Sequence, residues 1–492
     1  MVIAYWVDTV VSPHAAFRSL LVAVAAAAAL TLVLWPVTRS AARAGIFVSA
    51  LIGVLYSKHV VEFALDVRDL APTWVFVGWL LAIVAALALI IRFVRARAAN
   101  WPARRVTNVL NWAALLYLGS TVGMGLLSGK FAHAASELEQ GVGLAQAADV
   151  PANGAGAGYP DIYLILLDGY PRADVLEEAF GFDNAPFVAA LEARGFTVAP
   201  ASHSNYIWTR QSLTSMLHMT FVEQIPEFRA VLEGRAPQNP DLRDLVLDNP
   251  VFDLARDNGY QVVATGYEFE ELALRQADVY VDPGYLNEFE FKLLVSTFLG
   301  DLLAVATPDL ASAQHRDWIN FQLKALPEIA ELDDSVPRLV LGHIPAPHQP
   351  TSFGPNGEPI VVPISRLFYA DSPLERGEPV DEFATKYRDQ LGYLNERFLE
   401  MVDGIVANSD EPPVIVLWAD HGSASEVDWV VTTPDEAAPS ALRERTGILF
   451  AALTPGHTNL YPDDISPMNI FRLLADAYLG TDFGMAPGSG GS

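Results

Sequence analysis

The chain has 492 residues, no cysteine, 51% hydrophobic and 18% charged residues, and a formal net charge of −27. That composition is too apolar for a mainly disordered chain. The missing thiols exclude disulfides, a cysteine nucleophile and cysteine-ligated metal, and the negative charge argues against nonspecific nucleic-acid binding, which needs a cationic surface.

Charge divides the chain in two. Up to Leu127 there are ten Lys/Arg and four Asp/Glu, whereas the remainder holds 21 basic and 54 acidic residues. A weakly basic apolar part followed by a strongly acidic part predicts a membrane domain over 1–130 and a water-facing domain after it. Ser19–Val37, Leu70–Ile91 and Val106–Gly129 are uncharged for 19, 22 and 24 residues, enough to cross a hydrocarbon core of about 30 Å. Ala44–Ser57 becomes a further span only if it continues to Leu65 with Lys58 and Glu62 facing other helices. The expectation is three to four transmembrane helices. Five arginines lie between Arg92 and Arg105, and Arg39 and Arg43 lie in the first loop. Both loops belong on the cytoplasmic side. The last span then exits, and everything after Gly129 is extracytoplasmic in a multi-pass cell-membrane protein. Residues 131–160, rich in Ala, Gln and Gly, read as a flexible linker, and 484–492 as a disordered tail.

From 161 to 483, near-continuous apolar runs alternate with helical patterns. The runs are Asp161–Leu167, Tyr260–Thr265, Arg338–Leu341, Val414–Ala419 and Gly447–Ala452. Strands of that kind belong to a sheet covered on both faces. Helices are expected over Pro186–Arg194, over Asp381–Val406 with Phe383, Tyr387, Leu391, Leu394, Phe398 and Met401 on one stripe, and from Ser466-Pro467 to Gly480. The fold class is α/β, with a mostly parallel central sheet and helices on both faces.

Polar residues cluster just past these strands: Asp168-Gly169, Gly342-His343 and Asp420-His421-Gly422. One Asp-Gly after a strand is ordinary turn chemistry. Three strands ending in Asp or His point to a site, because ligands of open α/β sheets bind beyond the carboxyl ends of the strands. Asp420 and His421 offer the oxygen and nitrogen donors that Zn²⁺ or Mn²⁺ accepts, with Asp168 as a third ligand. A nucleophile is sought in Ser204–Leu217. Thr209 falls near a helix start, where free backbone N–H groups favour an anionic phosphoryl group. A nearby divalent ion would lower its pKa. Ser212, Thr214 and Ser215 are rival hydroxyls.

In chain order these motifs are Asp168-Gly169, Asn205-Tyr206-x-x-Thr209-x-x-Ser212-Leu213, His343-x-Pro345-x-Pro347-His348-x-Pro350 and Asp420-His421-Gly422. The set resembles the alkaline phosphatase/sulfatase superfamily, and within it the membrane-anchored branch of lipoteichoic acid synthases and phosphoethanolamine transferases. The resemblance spans roughly 160–480. It implies an alkaline phosphatase-like fold and one divalent metal, Mn or Zn with Mg or Ca as further options, held by Asp168, Thr209, Asp420 and His421. It implies that Thr209 becomes a covalent phosphothreonine. His343 and His348 match the loop that holds the substrate's phosphate and head group, with Asn205 and Arg210 helping to position it. The implied partners are the lipid bilayer and a phospholipid or envelope glycan substrate. A plain phosphatase or phosphodiesterase, a sulfuric ester hydrolase and a catalytically inert membrane scaffold are the alternatives.

The chain also departs from the family. The formylglycine motif of the sulfatases, Cys/Ser-x-Pro-x-Arg, is absent, and Thr209-Arg210-Gln211-Ser212-Leu213 stands in its place. Asp-His-Gly is followed by Ser423-Ala424-Ser425 where Glu is frequent. The branch commonly has five spans, one more than the most read here. The topology has a direct check. Protease added to intact spheroplasts is expected to cut within 131–160; protection there with cleavage between Arg92 and Arg105 would invert the orientation.

Overall fold

The computed structural model describes residues 13–55, 78, 81, 84, 88, 108, 112, 159–232, 242–267, 269, 272–332, 336–362, 372–429 and 432–486. The chain forms two compact units. One comprises Met1–Val142, Phe269–Glu271 and Leu286–Leu310; the other comprises Gly143–Glu268, Leu272–Tyr285 and Ala311–Ser492.

In the first unit a helix runs over Pro13–Thr38 and a second over Ala41–Leu55. Within the first, Arg18–Thr38 has a mean hydropathy of 2.4 and presents its side chains outward, as a lipid-facing span requires. Among the described residues it is the one helix long and apolar enough to cross a membrane, and Ala41–Gly53 is apolar but shorter. The spans expected over Leu70–Ile91 and Val106–Gly129 lie outside the described residues except for Gly78, Leu81, Val84, Ala88, Asn108 and Trp112, which are helical. Nearly all of the 131–160 linker and residues 487–492 of the expected tail also lie outside them, whereas Gly484–Ala486 is described, with the backbone N–H groups of Gly484 and Ala486 bonded to Asp476 and Asn469. A multi-pass arrangement therefore rests on sequence alone. Two further helices, Glu288–Val295 and Phe298–Ala306, belong to this unit although their sequence lies far from the first two.

The second unit is built on a sheet of seven strands: β1 Ile162–Leu167, β2 Thr197–Val198, β3 Gln261–Thr265, β4 Val279–Val281, β5 Arg338–Ile344, β6 Val414–Trp418 and β7 Phe450–Leu453. Their order is β2-β7-β6-β1-β5-β3-β4. The run from β6 to β4 is parallel, while β7 is antiparallel to β6 and to β2. The expected class, a mostly parallel sheet between helices, is met. Every residue of β1, β5 and β6 is buried, which explains why these runs are apolar on both faces. The Val380–Asn408 helix packs Phe383, Tyr387, Leu391, Leu394, Phe398 and Met401 into the main core.

Gly342 and His343 do not follow β5 but lie inside it, because the strand continues to Ile344 and pairs His343 with Leu166. Glycine fits mid-strand because a Cβ there would meet Leu326 at 2.8 Å. β2 and β4, of two and three residues, carry no periodic signal of their own.

A buried ion pair fixes the entry to the sheet. Arg338 is 2% exposed, and its Nη2 lies 2.8 Å from Asp161 Oδ2. Asp161 Oδ1 also accepts the Arg338 backbone N–H at 2.7 Å. Removing the carboxylate leaves a guanidinium buried without its counter-charge. Asp161→Ala is expected to cost about 3–5 kcal/mol in denaturant unfolding. Asp403→Ala, which breaks the solvent-facing pair with Arg194, is expected to cost no more than about 1 kcal/mol.

Candidate metal centre and active site

β1 and β6 are neighbours in the sheet and end side by side, so Asp168 and Asp420 emerge together. Gly169 donates its backbone N–H to Asp420 Oδ1 at 3.2 Å. It can do so because its φ of +68° is open to glycine and because a Cβ there would approach the His348 ring at 3.2 Å. Gly422 is constrained more tightly still: a Cβ would lie 2.0 Å from the Glu444 carbonyl oxygen. The Asp-Gly and Asp-His-Gly motifs are thus close-packing requirements as well as turns.

Each carboxylate uses one oxygen on protein donors and leaves the other bare. Asp168 Oδ2 accepts from the Tyr267 hydroxyl at 3.0 Å and lies 3.1 Å from His343 Nε2, while Oδ1 is buried with no hydrogen-bond partner. Asp420 is fully buried; its Oδ1 takes the Gly169 N–H and its Oδ2 has no partner. Both bare oxygens face His421 Nε2, at 3.7 Å from Asp168 Oδ1 and 3.3 Å from Asp420 Oδ2. His421 Nδ1 lies 2.8 Å from the Gly422 carbonyl, which can only accept. That bond places the ring proton on Nδ1 and leaves a lone pair on Nε2. Burial, reinforced by Arg445, holds the His421 pKa below its ordinary value and keeps the ring neutral. Burial alone would raise the Asp168 carboxyl, but His348 and the hydrogen bond from His343 outweigh it and hold the group ionised.

Thr209 completes the cluster. It opens the Thr209–His218 helix, and its Oγ1 lies 3.2 Å from His421 Nε2. The rival hydroxyls are engaged elsewhere. Ser212 donates to the Asp420 carbonyl at 2.8 Å, Thr214 to the Arg210 carbonyl at 2.7 Å and Ser215 to the Thr220 carbonyl at 2.7 Å.

The donor set fits a cation. Two bare carboxylate oxygens and an imidazole lone pair repel one another unless a positive charge sits among them, while the Thr209 hydroxyl can donate to that lone pair. Tetrahedral ligands at about 2.0–2.2 Å from an ion lie roughly 3.3–3.6 Å apart. The observed separations from His421 Nε2 are 3.2, 3.3 and 3.7 Å. His348 borders the same cluster: ligand atoms of Asp168, His348 and His421 all lie within 4.8 Å of one another. The Asp168 carbonyl accepts the His348 backbone N–H at 2.9 Å, and His348 Nδ1 lies 2.7 Å from the Gln349 carbonyl.

Other residues expected from the sequence sit further out. His343 stands behind Asp168, stacked on Tyr267 with ring centroids 3.7 Å apart. Asn205 Oδ1 is buried without a hydrogen-bond partner in the segment leading to Thr209, and Arg210 follows Thr209 in the first turn of the helix.

Three contributors have no signal in the sequence. Tyr267 follows the end of β3 and reaches Asp168 across the sheet. Arg445 is 1% exposed, donates to the carbonyls of Ile207 at 2.8 Å and Gly422 at 3.2 Å, and lies over the Trp208 ring. It ties the start of the Thr209 helix to the Asp-His-Gly turn. Glu444 accepts the hydroxyls of Ser423 and Ser425 at 2.7 and 2.8 Å and the Ser425 N–H at 2.8 Å. Both serines after the motif therefore anchor its loop.

No protein-family model matches this chain, and no curated protein does. Among solved structures, it is similar to the C-terminal periplasmic domain of EptC from Escherichia coli in complex with Zn, at 16% identity over 67% of this chain and 86% of that one, with a TM-score of 0.42. It is similar to the integral membrane lipooligosaccharide phosphoethanolamine transferase EptA from Neisseria meningitidis, at 15% identity over 81% and 72%, with a TM-score of 0.38. It is also similar to the 2-O GAG sulfatase BT1596, at 13% identity over 68% and 73%, with a TM-score of 0.39.

Glu444 supplies a pH test of the motif's support. Burial raises its carboxyl above the ordinary value of 4.5, against the hydrogen bonds from Ser423 and Ser425. A raised folded-state pKa means stability that is present below the unfolded value and lost as pH rises through the folded one. In denaturant unfolding from pH 4 upward, Glu444→Gln is expected to lose less stability with rising pH than the wild type. Equal slopes would show that Glu444 carries no such strain.

Proposed function

We propose that the chain is a membrane-anchored, metal-dependent phosphoryl-group transferase or hydrolase of the cell envelope, with Thr209 as nucleophile. The supporting observation is the convergence on His421 Nε2 of Thr209 Oγ1 and two unpartnered carboxylate oxygens, at 3.2, 3.3 and 3.7 Å. Asp168, Thr209, Asp420 and His421 would hold one divalent ion. Zn²⁺ or Mn²⁺ suits the mixed oxygen and nitrogen donors, and His348 is placed to join them or to face the substrate. When bound, the ion lowers the pKa of a coordinated hydroxyl and neutralises charge that develops on phosphoryl oxygens.

The side chains divide the remaining work. Thr209 Oγ attacks phosphorus, forming the threonine–phosphorus bond as the bond to the leaving alcohol breaks. A sugar hydroxyl, or water, then displaces Thr209 from phosphorus and restores the free hydroxyl. The helix start puts backbone N–H groups beside the phosphoryl oxygens. His348 faces the phosphate and head group. Asn205 and Arg210 flank Thr209 and orient the substrate. His343 acts on the reaction by holding Asp168, and Tyr267, stacked on it, does the same at the same oxygen. A small recess lined by Gly169, His348, Gln349, Gly422, Ser423 and Arg445 adjoins the cluster.

The membrane unit of 1–130 and the tether of 131–160 keep the 161–483 catalytic domain near the outer face of the bilayer. That tethering supports a phospholipid or lipid-linked envelope glycan as substrate. Transfer and hydrolysis differ in the acceptor: added glycan raises turnover only in a transferase.

The nucleophile is tested by comparing hydroxyls. Thr209→Ala is expected to remove turnover by more than the roughly 10²–10⁴-fold typical of losing one acid–base group. Ser212→Ala, Thr214→Ala and Ser215→Ala are expected to cost much less, since their hydroxyls serve backbone carbonyls. Mass spectrometry after incubation with total lipid extract is expected to find the adduct on Thr209. An adduct on one of the other three would move the nucleophile there.

A further inference from the structure

The Leu286–Leu310 segment leaves the catalytic sequence to join the unit that contains the Pro13–Thr38 helix. Its first helix, Glu288–Val295, is capped by a reciprocal bond pair between Asn287 and Glu290. Glu290 is 7% exposed and receives Arg18 Nε at 2.6 Å, with a second bond from the same guanidinium. Arg18 is the first residue of the apolar span. A guanidinium at the end of a span belongs at headgroup depth, where its charge keeps contact with water. The ion pair therefore fixes the start of the Glu288–Val295 helix at that same depth.

The second helix, Phe298–Ala306, is held rigidly against the first. A Cβ on Gly300 would lie 2.6 Å from Val295 Cα, so the two backbones approach as closely as glycine allows. Ser296 and Thr297 in the corner donate their hydroxyls to the carbonyls of Leu293 and Leu294 at 2.8 and 2.7 Å, which leaves little polar demand there. With Gly300 facing inward, the opposite side presents Leu299, Leu302 and Val305, which are 44%, 40% and 43% exposed. These residues lie three apart and form one stripe. Tyr285 and Leu286, at the entry to the segment, are exposed as well.

An apolar stripe of this kind on a water-soluble surface would be an aggregation liability. The stripe belongs to a helix pair pinned at headgroup depth to a lipid-facing span. We propose that the Phe298–Ala306 helix lies in the interface of the bilayer that the Pro13–Thr38 helix crosses, with Leu299, Leu302 and Val305 inserted among the upper acyl chains. The proposal rests on the reading of Pro13–Thr38 as a membrane anchor. The occupant of this face is lipid; neither a second copy nor another protein is needed. It provides a second attachment to the membrane, independent of the linker and contributed by sequence that follows β4.

The absence of cysteine makes a direct test simple, since any introduced cysteine is the sole labelling site. Leu299→Cys, Leu302→Cys, Val24→Cys in the span and Leu332→Cys in the other unit are each labelled with an environment-sensitive fluorophore. The full chain is then reconstituted in phosphatidylcholine vesicles with and without lipid carrying a nitroxide high on the acyl chain. Labels at 299 and 302 are expected to show blue-shifted emission and to lose intensity with the nitroxide lipid, while the label at 332 does neither. Water-like emission at 299 and 302, with the label at 24 quenched, would overturn the proposal and leave the anchor standing. Blue-shifted but unquenched emission at 299 and 302 would overturn it in favour of a protein covering that face. Water-like emission at 24 as well would overturn the anchor and the proposal together.

Discussion

The second unit is organised around two buried carboxylates that converge on one imidazole. Asp168 and Asp420 bring carboxylates out of a fully buried pair of strands, and one oxygen of each has no hydrogen-bond donor. Burying an ionised carboxylate with one oxygen left unsatisfied is unfavourable, by roughly 1–3 kcal/mol or more. The imidazole between them does not supply the charge, because its proton is directed to the Gly422 carbonyl and its lone pair faces the two oxygens. A cation would resolve the arrangement, and the hydroxyl of Thr209 lies 3.2 Å from His421 Nε2.

The surrounding structure is explained by the need to hold those donors still. The sheet aligns the ends of β1 and β6, and β5 carries His343 to the back of Asp168. Tyr267 meets the same oxygen and stacks on His343, so Asp168 Oδ2 is held by a pair of stacked rings. Arg445 joins the Ile207 and Gly422 carbonyls and thereby sets Thr209 against His421. Ser212 bonds the Asp420 carbonyl and secures the helix to the end of β6. Outer partners of this kind typically change metal affinity by about 10–100-fold when lost, although none of them is a ligand.

The sequence shows those parts whose cause is local. Buried runs such as Ile162–Leu167 and Val414–Trp418 announce strands by composition, and the Asp and His after them stand out because little else polar interrupts. The stripe from Phe383 to Met401 announces a long helix in the same way. Thr209 was one of four hydroxyls in the sequence; the fold separates it from the others by occupying their hydroxyls with carbonyls. Tyr267, Glu444 and Arg445 were not legible, because each owes its role to a segment distant in sequence that arrives beside it. Arg445 in particular sits in a stretch of alternating charge, Arg443-Glu444-Arg445, that reads as an exposed helix end, yet its side chain is buried. Gly342 interrupts the apolar pattern and makes His343 read as lying past its strand, whereas the backbone continues to Ile344. The grouping of Leu286–Leu310 with the N-terminal helices was also illegible, since no local pattern records a contact with Arg18.

The cation site is tested most directly by thermal unfolding of the chelated full chain, wild type and Asp420→Asn, with and without added Zn²⁺ or Mn²⁺. The asparagine keeps the bond from the Gly169 N–H and removes one of the two bare charges. The wild type is expected to gain stability with the ion, since a ligand that binds only the folded state at 100 times its Kd adds about 2.7 kcal/mol. Asp420→Asn is expected to lose most of that gain while melting, without metal, at least as high as the chelated wild type, because the repulsion between carboxylates is relieved. A variant that keeps the full wild-type shift on adding metal, and is destabilised without it, would contradict a cation held between Asp168 and Asp420.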